Sequence, residues 1–333
     1  MAKASGLVLG ILLTCAFGYY AIRDVDFTRF QKGLGESDYR WLVPALAVLA
    51  FGVWLRALRW QLLFTPATRP RLQSVTNALL IGYFFNQLLP LRAGEAARVV
   101  ALNRETGTPL AQAAATAIAE RLYDIAVLLL LLFVALPLLP TVPWIHRATI
   151  VALLFGALCF GLVLALLRFG ARPLSFVLRP LERLRFVTPT QTQAAAVNAV
   201  RGLAALHLPG IASRALLATV ASWLVLAVSF WCVLAAFHLV LGYDAALLLV
   251  VAVNLALVLP SAPAAVGTFE AAVVLALDPY GIDKADALAL AVVLHALNLF
   301  PFIVAGFLAL NVHAVRRRAS ERYNGHARQW AEP

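Results

Sequence analysis

Glu120, Arg121 and Asp124 stand within five residues of one another inside an otherwise apolar run. A charge at the centre of a membrane helix costs roughly 2.5–3.5 kcal/mol on insertion scales, so it persists only with a partner or a use. Glu120 and Asp124 are i, i+4 and Arg121 and Asp124 are i, i+3, so the three can share one helix face and Arg121 can neutralise Asp124. Two readings fit: a buried ion-pair network that only fixes helix packing, or a site for a lipid headgroup or a coupling ion. Arg56 and Arg59 lie i, i+3 on an earlier apolar run. Arg59 is near enough to the end of that run at Phe64 to snorkel to the headgroups, whereas Arg56 sits deeper and calls for a partner or a phosphate.

Between these clusters the stretch Asn86-Gln-Leu-Leu-Pro90-Leu-Arg92-Ala-Gly94-Glu95 interrupts a second apolar run. Arg92 can pair with Glu95 or grip a phosphate with its planar fork of donors. Gly94 permits a turn, and a helix starting at Glu95 directs free N–H groups and its positive dipole end toward an anion. A weaker copy follows, Asn254-Leu-Ala-Leu-Val-Leu-Pro260 with Gly267-Thr-Phe-Glu270, and it carries no arginine. Each glutamate opens a similar run, Glu95 to Leu102 and Glu270 to Leu277. Glu95 to Glu120 and Glu270 to His295 both span 25 residues. His295 is then either a packed, hydrogen-bonded histidine or a proton carrier, and the chain reads as a duplicated unit with a polar break in each half.

The elements that must hold these residues are membrane helices. Of the 333 residues, 62% are hydrophobic and only 13% charged, with a mean hydropathy of +0.86, far from soluble composition. No segment leaves room for a nucleotide-binding or synthase domain. The three cysteines lie in apolar runs without metal-ligand spacing and read as small core residues. The net charge of +11 sits in short loops and the tail, which fits orientation and anionic lipid at the cytoplasmic face better than nucleic acid. Nucleophile-elbow, zincin, Walker and paired-aspartate patterns are missing, so the expectation is no enzyme activity, cofactor or metal.

Apolar runs able to cross roughly 30 Å of hydrocarbon occur near 4–22, 41–64, 109–136, 146–168, 211–241 and 284–312. Residues 74–91 and 245–277 contain the breaks. The fold expected is an all-α polytopic membrane protein of six full spans plus two re-entrant helical hairpins in an inverted repeat. Its parts are a first helix and outer loop (1–40), repeat unit 1 (41–136), a span with a basic, apolar-alternating cytoplasmic linker (137–210), repeat unit 2 (211–312) and a basic cytoplasmic tail (313–333) that reads as disordered from 316 on. Arg69, Arg71, Arg92, Arg98, Arg104, the arginines of 168–185 and Arg316 to Arg318 assign their loops and both termini to the cytoplasm. Loops 137–145 and 278–286 then face out, one break opens from each side, and irregular backbone at that depth implies a cavity at the midplane.

Arg59-Trp60, Asn86-x3-Pro90-x-Arg92-x-Gly94-Glu95, Glu120-Arg121-x2-Asp124 and Pro260 to Gly267-x2-Glu270 resemble the flippase-like membrane region of lysylphosphatidylglycerol synthases, over roughly residues 40–312. The chain departs from that family's glycine-rich second break with Ser261-Ala-Pro-Ala-Ala-Val. The resemblance implies lipid movement across a bacterial inner membrane, of an aminoacyl-phosphatidylglycerol-like or polyprenyl-phosphate-like lipid. Because the chain ends at Pro333 without a soluble transferase domain, it implies no synthase activity. The residues expected to line the substrate site are Arg56, Asn86, Arg92, Glu95, Glu120, Arg121, Asp124, Asn254, Gly267 and Glu270. Two alternatives stay open, a membrane enzyme or accessory subunit of lipid-linked glycan or aminoacyl-lipid synthesis, and a scaffold for a lipid-modifying partner enzyme.

Overall fold

A chain in hydrocarbon must satisfy its own backbone hydrogen bonds, and this one does so with helices. The computed structural model describes residues 2–89, 93–138, 209–257 and 262–329, with scattered positions between 150 and 197. Every regular element among the described residues is helical. In chain order they are α1 (Ala2–Ile22), α2 (Phe27–Glu36), α3 (Leu42–Leu62), α4 (Leu72–Leu88), α5 (Gly94–Thr106) and α6 (Leu110–Ala135). After the undescribed stretch come α7 (Pro209–Ala236), α8 (Tyr243–Ala256), α9 (Thr268–Leu277) and α10 (Lys284–Gln329).

Three of these are long and apolar enough to cross a membrane, Tyr39–Leu62, Gly210–Ala236 and Lys284–Val312. The 26-residue α6 is about 39 Å long at 1.5 Å per residue but carries Glu120, Arg121 and Asp124, which lowers its hydropathy without shortening it. The anticipated span 146–168 and the basic linker lie almost wholly outside the described residues, as do Arg92 and Pro260. Two expectations are corrected. Loop 23–40 contains α2, started by the Asp26 carboxylate accepting the Thr28 and Arg29 N–H groups. Residues expected to form a disordered tail after 312 instead continue α10 as far as Gln329.

Both interrupted segments are helix–break–helix units. In the first, α4 and α5 pack directly on each other. They can do so because Gly82 and Gly94 face one another: a Cβ on Gly82 would lie 2.9 Å from the Arg98 Cβ and 3.0 Å from the Gly94 carbonyl. Gly82→Ala therefore overpacks the crossing and is expected to destabilise the protein by about 1–2 kcal/mol. A denaturant midpoint in detergent equal to that of wild type would show that the crossing yields without cost.

In the second unit, Gly267 turns the chain into α9 with φ of +80°, and a Cβ there would lie 2.8 Å from the Thr14 carbonyl of α1. Only glycine combines that backbone with that approach. Thr14 also reaches the break with its hydroxyl, which accepts the Ala262 N–H at 2.9 Å.

Two hydrophobic clusters flank the polar side chains. Trp60, Phe64, Leu79 and Leu102 belong to the one formed chiefly by α3 to α6. Leu132, Phe230, Leu249, Leu277 and Leu294 belong to the one formed chiefly by α6 to α10. The helices whose faces carry charge meet between them.

Candidate functional site

Arg59 is 1% exposed, too deep for a snorkelling arginine, because α3 packs against α6 and turns this residue onto the acidic face. Its Nη1 donates to Asp124 Oδ1 and its Nη2 to Glu120 Oε1, both at 2.5 Å. Glu120 uses its other oxygen to accept from Arg98 Nη1 at 2.9 Å. Arg98 in turn faces Glu95 at 2.7 Å, one turn away on α5. Glu95 is also paired with Arg121, and Arg121 Nη1 donates to Asp124 Oδ2 at 3.3 Å.

The six side chains thus close a ring in which guanidinium and carboxylate alternate: Arg59, Glu120, Arg98, Glu95, Arg121, Asp124. Each arginine bridges two acids and each acid bridges two arginines, so the ring sums to zero charge. Planar guanidinium forks suit such bridging, which point-like ammonium groups would serve less well. Trp223 of α7 adds an indole N–H to Asp124 Oδ1 at 3.1 Å, and the Trp60 ring lies under Arg98 at 4.6 Å. Glu120 and Asp124 each accept hydrogen bonds from at least two side chains, whereas Glu95 accepts one from Arg121 and faces Arg98 as an ion pair, and the Nε groups of Arg59 and Arg98 are buried without a hydrogen-bond partner.

The ring forms one wall of a cavity of about 350 Å³. Seven residues expected from sequence line it: Arg56, Asn86, Glu95, Glu120, Arg121, Asp124 and Asn254. Gly267 and Glu270 do not line it, and Arg92 lies outside the described residues. Glu270 stands one contact behind the wall, its Oε1 on His295 Nδ1 at 2.6 Å and its Oε2 accepting the Gly267 N–H at 2.6 Å. His295, which does line the cavity, places its Nε2 2.9 Å from the Ala264 carbonyl and stacks on Phe269.

The equal intervals in the two halves have a physical counterpart. The break glutamate meets a basic side chain of the following long helix in both, Glu95 with Arg121 and Glu270 with His295.

Sequence reasoning missed Arg98 and misjudged Arg59. Arg98 was counted as a cytoplasmic loop charge but is 2% exposed inside α5. The available signal was its i, i+3 spacing from Glu95, which puts both on one face once 94–106 is a helix.

Arg56 is the converse case. Its Nη1 donates to Tyr83 Oη at a long 3.4 Å, and its guanidinium lies over the Trp223 ring at 4.9 Å. Among the described residues no carboxylate pairs with it. It is half-buried, lines the cavity and carries the charge that the ring does not cancel.

Apart from the ring, Arg56 and the Glu270-paired His295, the lining offers Tyr83, Asn86, Gln87, Asn254 and Asn298, all neutral. Among the described residues no three His, Cys, Asp or Glu side chains gather as a metal site. Among the described residues the lining holds one arginine without a carboxylate and several neutral hydrogen-bonding groups, an arrangement that can hold an anion with polar substituents.

A family model described as the lysylphosphatidylglycerol synthase TM region matches residues 7–306. No curated protein matches the sequence.

Proposed function

The chain belongs to the lysylphosphatidylglycerol synthase TM region family, and on that premise we propose that this multi-pass membrane protein carries the headgroup of an anionic lipid or lipid-linked intermediate across the bilayer through its polar cavity. Arg56 is the observation that carries the proposal. A structural arginine in hydrocarbon is expected to be matched, as Arg59, Arg98 and Arg121 are. Arg56 rests on an aromatic face and a phenol, partners that orient a guanidinium without neutralising it. A phosphate oxygen supplies the missing charge.

In the proposed arrangement α4–α5 enters from the cytoplasm and α8–α9 from the other side, as inverted re-entrant hairpins with both termini cytoplasmic in a bacterial inner membrane. Helix lengths support this reading. The 13 residues of α5 and the 10 of α9 reach only about 20 Å and 15 Å, short of roughly 30 Å of hydrocarbon. The function proposed is transport rather than group transfer, with a lipid-modifying enzyme as the source of substrate.

The test is leaflet exchange in proteoliposomes containing NBD-labelled phosphatidylglycerol, read by dithionite quenching. Wild-type protein accelerates exchange. Arg56→Gln slows it about tenfold or more, the loss of one charge-assisted hydrogen bond of roughly 1.5–3 kcal/mol, while its melting temperature in detergent stays near that of wild type. Failure of wild type to move any anionic lipid, or wild-type rates in Arg56→Gln, would overturn the proposal.

A further inference from the structure

Each acid at the cavity is already taken. Glu95, Glu120 and Asp124 each face two guanidiniums, and Glu270 accepts from Gly267 while contacting His295. An ammonium group entering the cavity finds no free carboxylate among the described residues. It meets Arg56 instead, and Arg121, which keeps 40% of its side-chain surface open. The lipid's own phosphate offsets Arg56 once it is seated there, so the penalty that remains is the burial of an ammonium with no carboxylate partner, which weakens binding by about tenfold or more.

The neutral lining points to what is accepted. Asn254 and Asn298 each spend one of two amide N–H groups on their own helix, donating to the Val250 carbonyl at 2.8 Å and the Leu294 carbonyl at 2.9 Å. Gln87 directs its amide N–H to the Asn298 carbonyl at 3.5 Å. The amide oxygens of all three accept no hydrogen bond among the described residues, and one N–H of each amide also makes none, so the wall offers acceptors and donors together, which a hydroxyl answers with its O–H and its lone pairs. Uncharged hydroxyls meet these groups without a charge to bury, because a neutral acceptor serves either group but only the ammonium is left without a counter-charge once the phosphate occupies Arg56.

We infer that the cavity selects a phosphate-bearing headgroup rich in hydroxyls, a polyol or sugar phosphate, with the phosphate at Arg56 and Tyr83 and the hydroxyls at Asn254, Asn298 and Gln87, and that it rejects a headgroup carrying a cationic aminoacyl group. The inference rests on the anionic-lipid reading above and narrows it. It separates this chain's substrate from the aminoacylated lipid in the name of its family. The phosphate is either the diester of a polyol phospholipid or that of a polyprenyl-linked sugar, since both present the same chemistry to Arg56.

Binding separates this inference from the transport proposal. The intact protein in detergent is titrated with phosphatidylglycerol, phosphatidylinositol, a polyprenyl-phosphate hexose, phosphatidylmethanol, whose diester carries no hydroxyl, and lysyl-phosphatidylglycerol, with melting temperature as readout. The three hydroxyl-bearing lipids stabilise at lower concentration than phosphatidylmethanol, and whichever of the phospholipid or polyprenyl arms binds tighter identifies the source. Lysyl-phosphatidylglycerol binds at least tenfold more weakly than phosphatidylglycerol. Asn254→Leu brings phosphatidylinositol down to the level of phosphatidylmethanol and leaves phosphatidylmethanol unchanged. Asn254→Asp, which supplies a carboxylate, improves lysyl-phosphatidylglycerol relative to phosphatidylglycerol. Equal or tighter binding of the lysyl lipid by wild type, or no preference for hydroxyl-bearing lipids over phosphatidylmethanol, overturns the inference even if leaflet exchange is observed. Selective binding without leaflet exchange leaves it standing and removes only the transport proposal.

Discussion

Arg59→Leu is expected to destabilise the folded protein by about 3–5 kcal/mol, the range for removing one partner of a buried ion pair. The side chain is 1% exposed and holds Glu120 and Asp124 together, each at 2.5 Å. Leucine fills part of the space but leaves both acids, 2% and 6% exposed, short of a counter-charge at the cavity wall. The loss falls unequally. Glu120 keeps Arg98 at 2.9 Å, whereas Asp124 is left with Arg121 at 3.3 Å and the Trp223 indole at 3.1 Å. Arg59→Lys restores the charge but not the fork, so it can serve one acid well and the other poorly, and its cost falls between leucine and wild type. Denaturant titration of detergent-solubilised protein reads both. A midpoint for Arg59→Leu within about 1 kcal/mol of wild type would mean that the ring is not the structural centre of α3, α5 and α6. The contrast with Arg56, one turn away, is diagnostic: its replacement should leave stability nearly intact and remove lipid recognition.

His295→Leu is expected to cost about 3 kcal/mol, the sum of a charge-assisted hydrogen bond to Glu270 and a neutral one to the Ala264 carbonyl. Both ring nitrogens face oxygens, and the Ala264 carbonyl can only accept. The pair therefore holds a proton in addition to the neutral ring's own, as an imidazolium beside a carboxylate or as a neutral ring beside a protonated Glu270. Ala264 and Ala265 have φ of 57° and 59°, a left-handed backbone that alanine adopts at a cost of roughly 1–2 kcal/mol each. The bond from His295 is one of the contacts that keep this strained segment in place beside the cavity. Glu270→Gln should cost less, because its amide oxygen can still accept the Gly267 N–H while its amide N–H donates to a neutral His295 Nδ1, which keeps both contacts and loses only their charge. Denaturation measures the ranking. Infrared difference spectroscopy of the Glu270 carboxyl band between wild type and Glu270→Gln identifies which partner holds the proton. A His295→Leu protein as stable as wild type would sink this account.

Much of the site was legible in the amino-acid order, because helical spacing fixes which residues share a face. The i, i+3 and i, i+4 relations put Glu120, Arg121 and Asp124 together, and the Arg121 to Asp124 contact follows from them at 3.3 Å. The helix start expected at Glu95 falls at Gly94. What spacing cannot do is choose among partners on different helices. Arg56 and Arg59 occupy the same face of α3, yet Arg59 alone reaches acids 61 and 65 residues away, while Arg56 is left on Tyr83 and Trp223. Depth in the run suggested the reverse assignment.

The sequence by itself determined that this is a helical membrane protein interrupted twice by polar breaks, because hydropathy and periodicity are local and additive along the chain. Only the tertiary structure decided that three arginines and three acids close into a neutral ring, and that among the described cavity residues Arg56 is the arginine left without a carboxylate. That outcome depends on which helices pack against which, a non-local choice made by the glycine crossing and the apolar clusters that flank the charges.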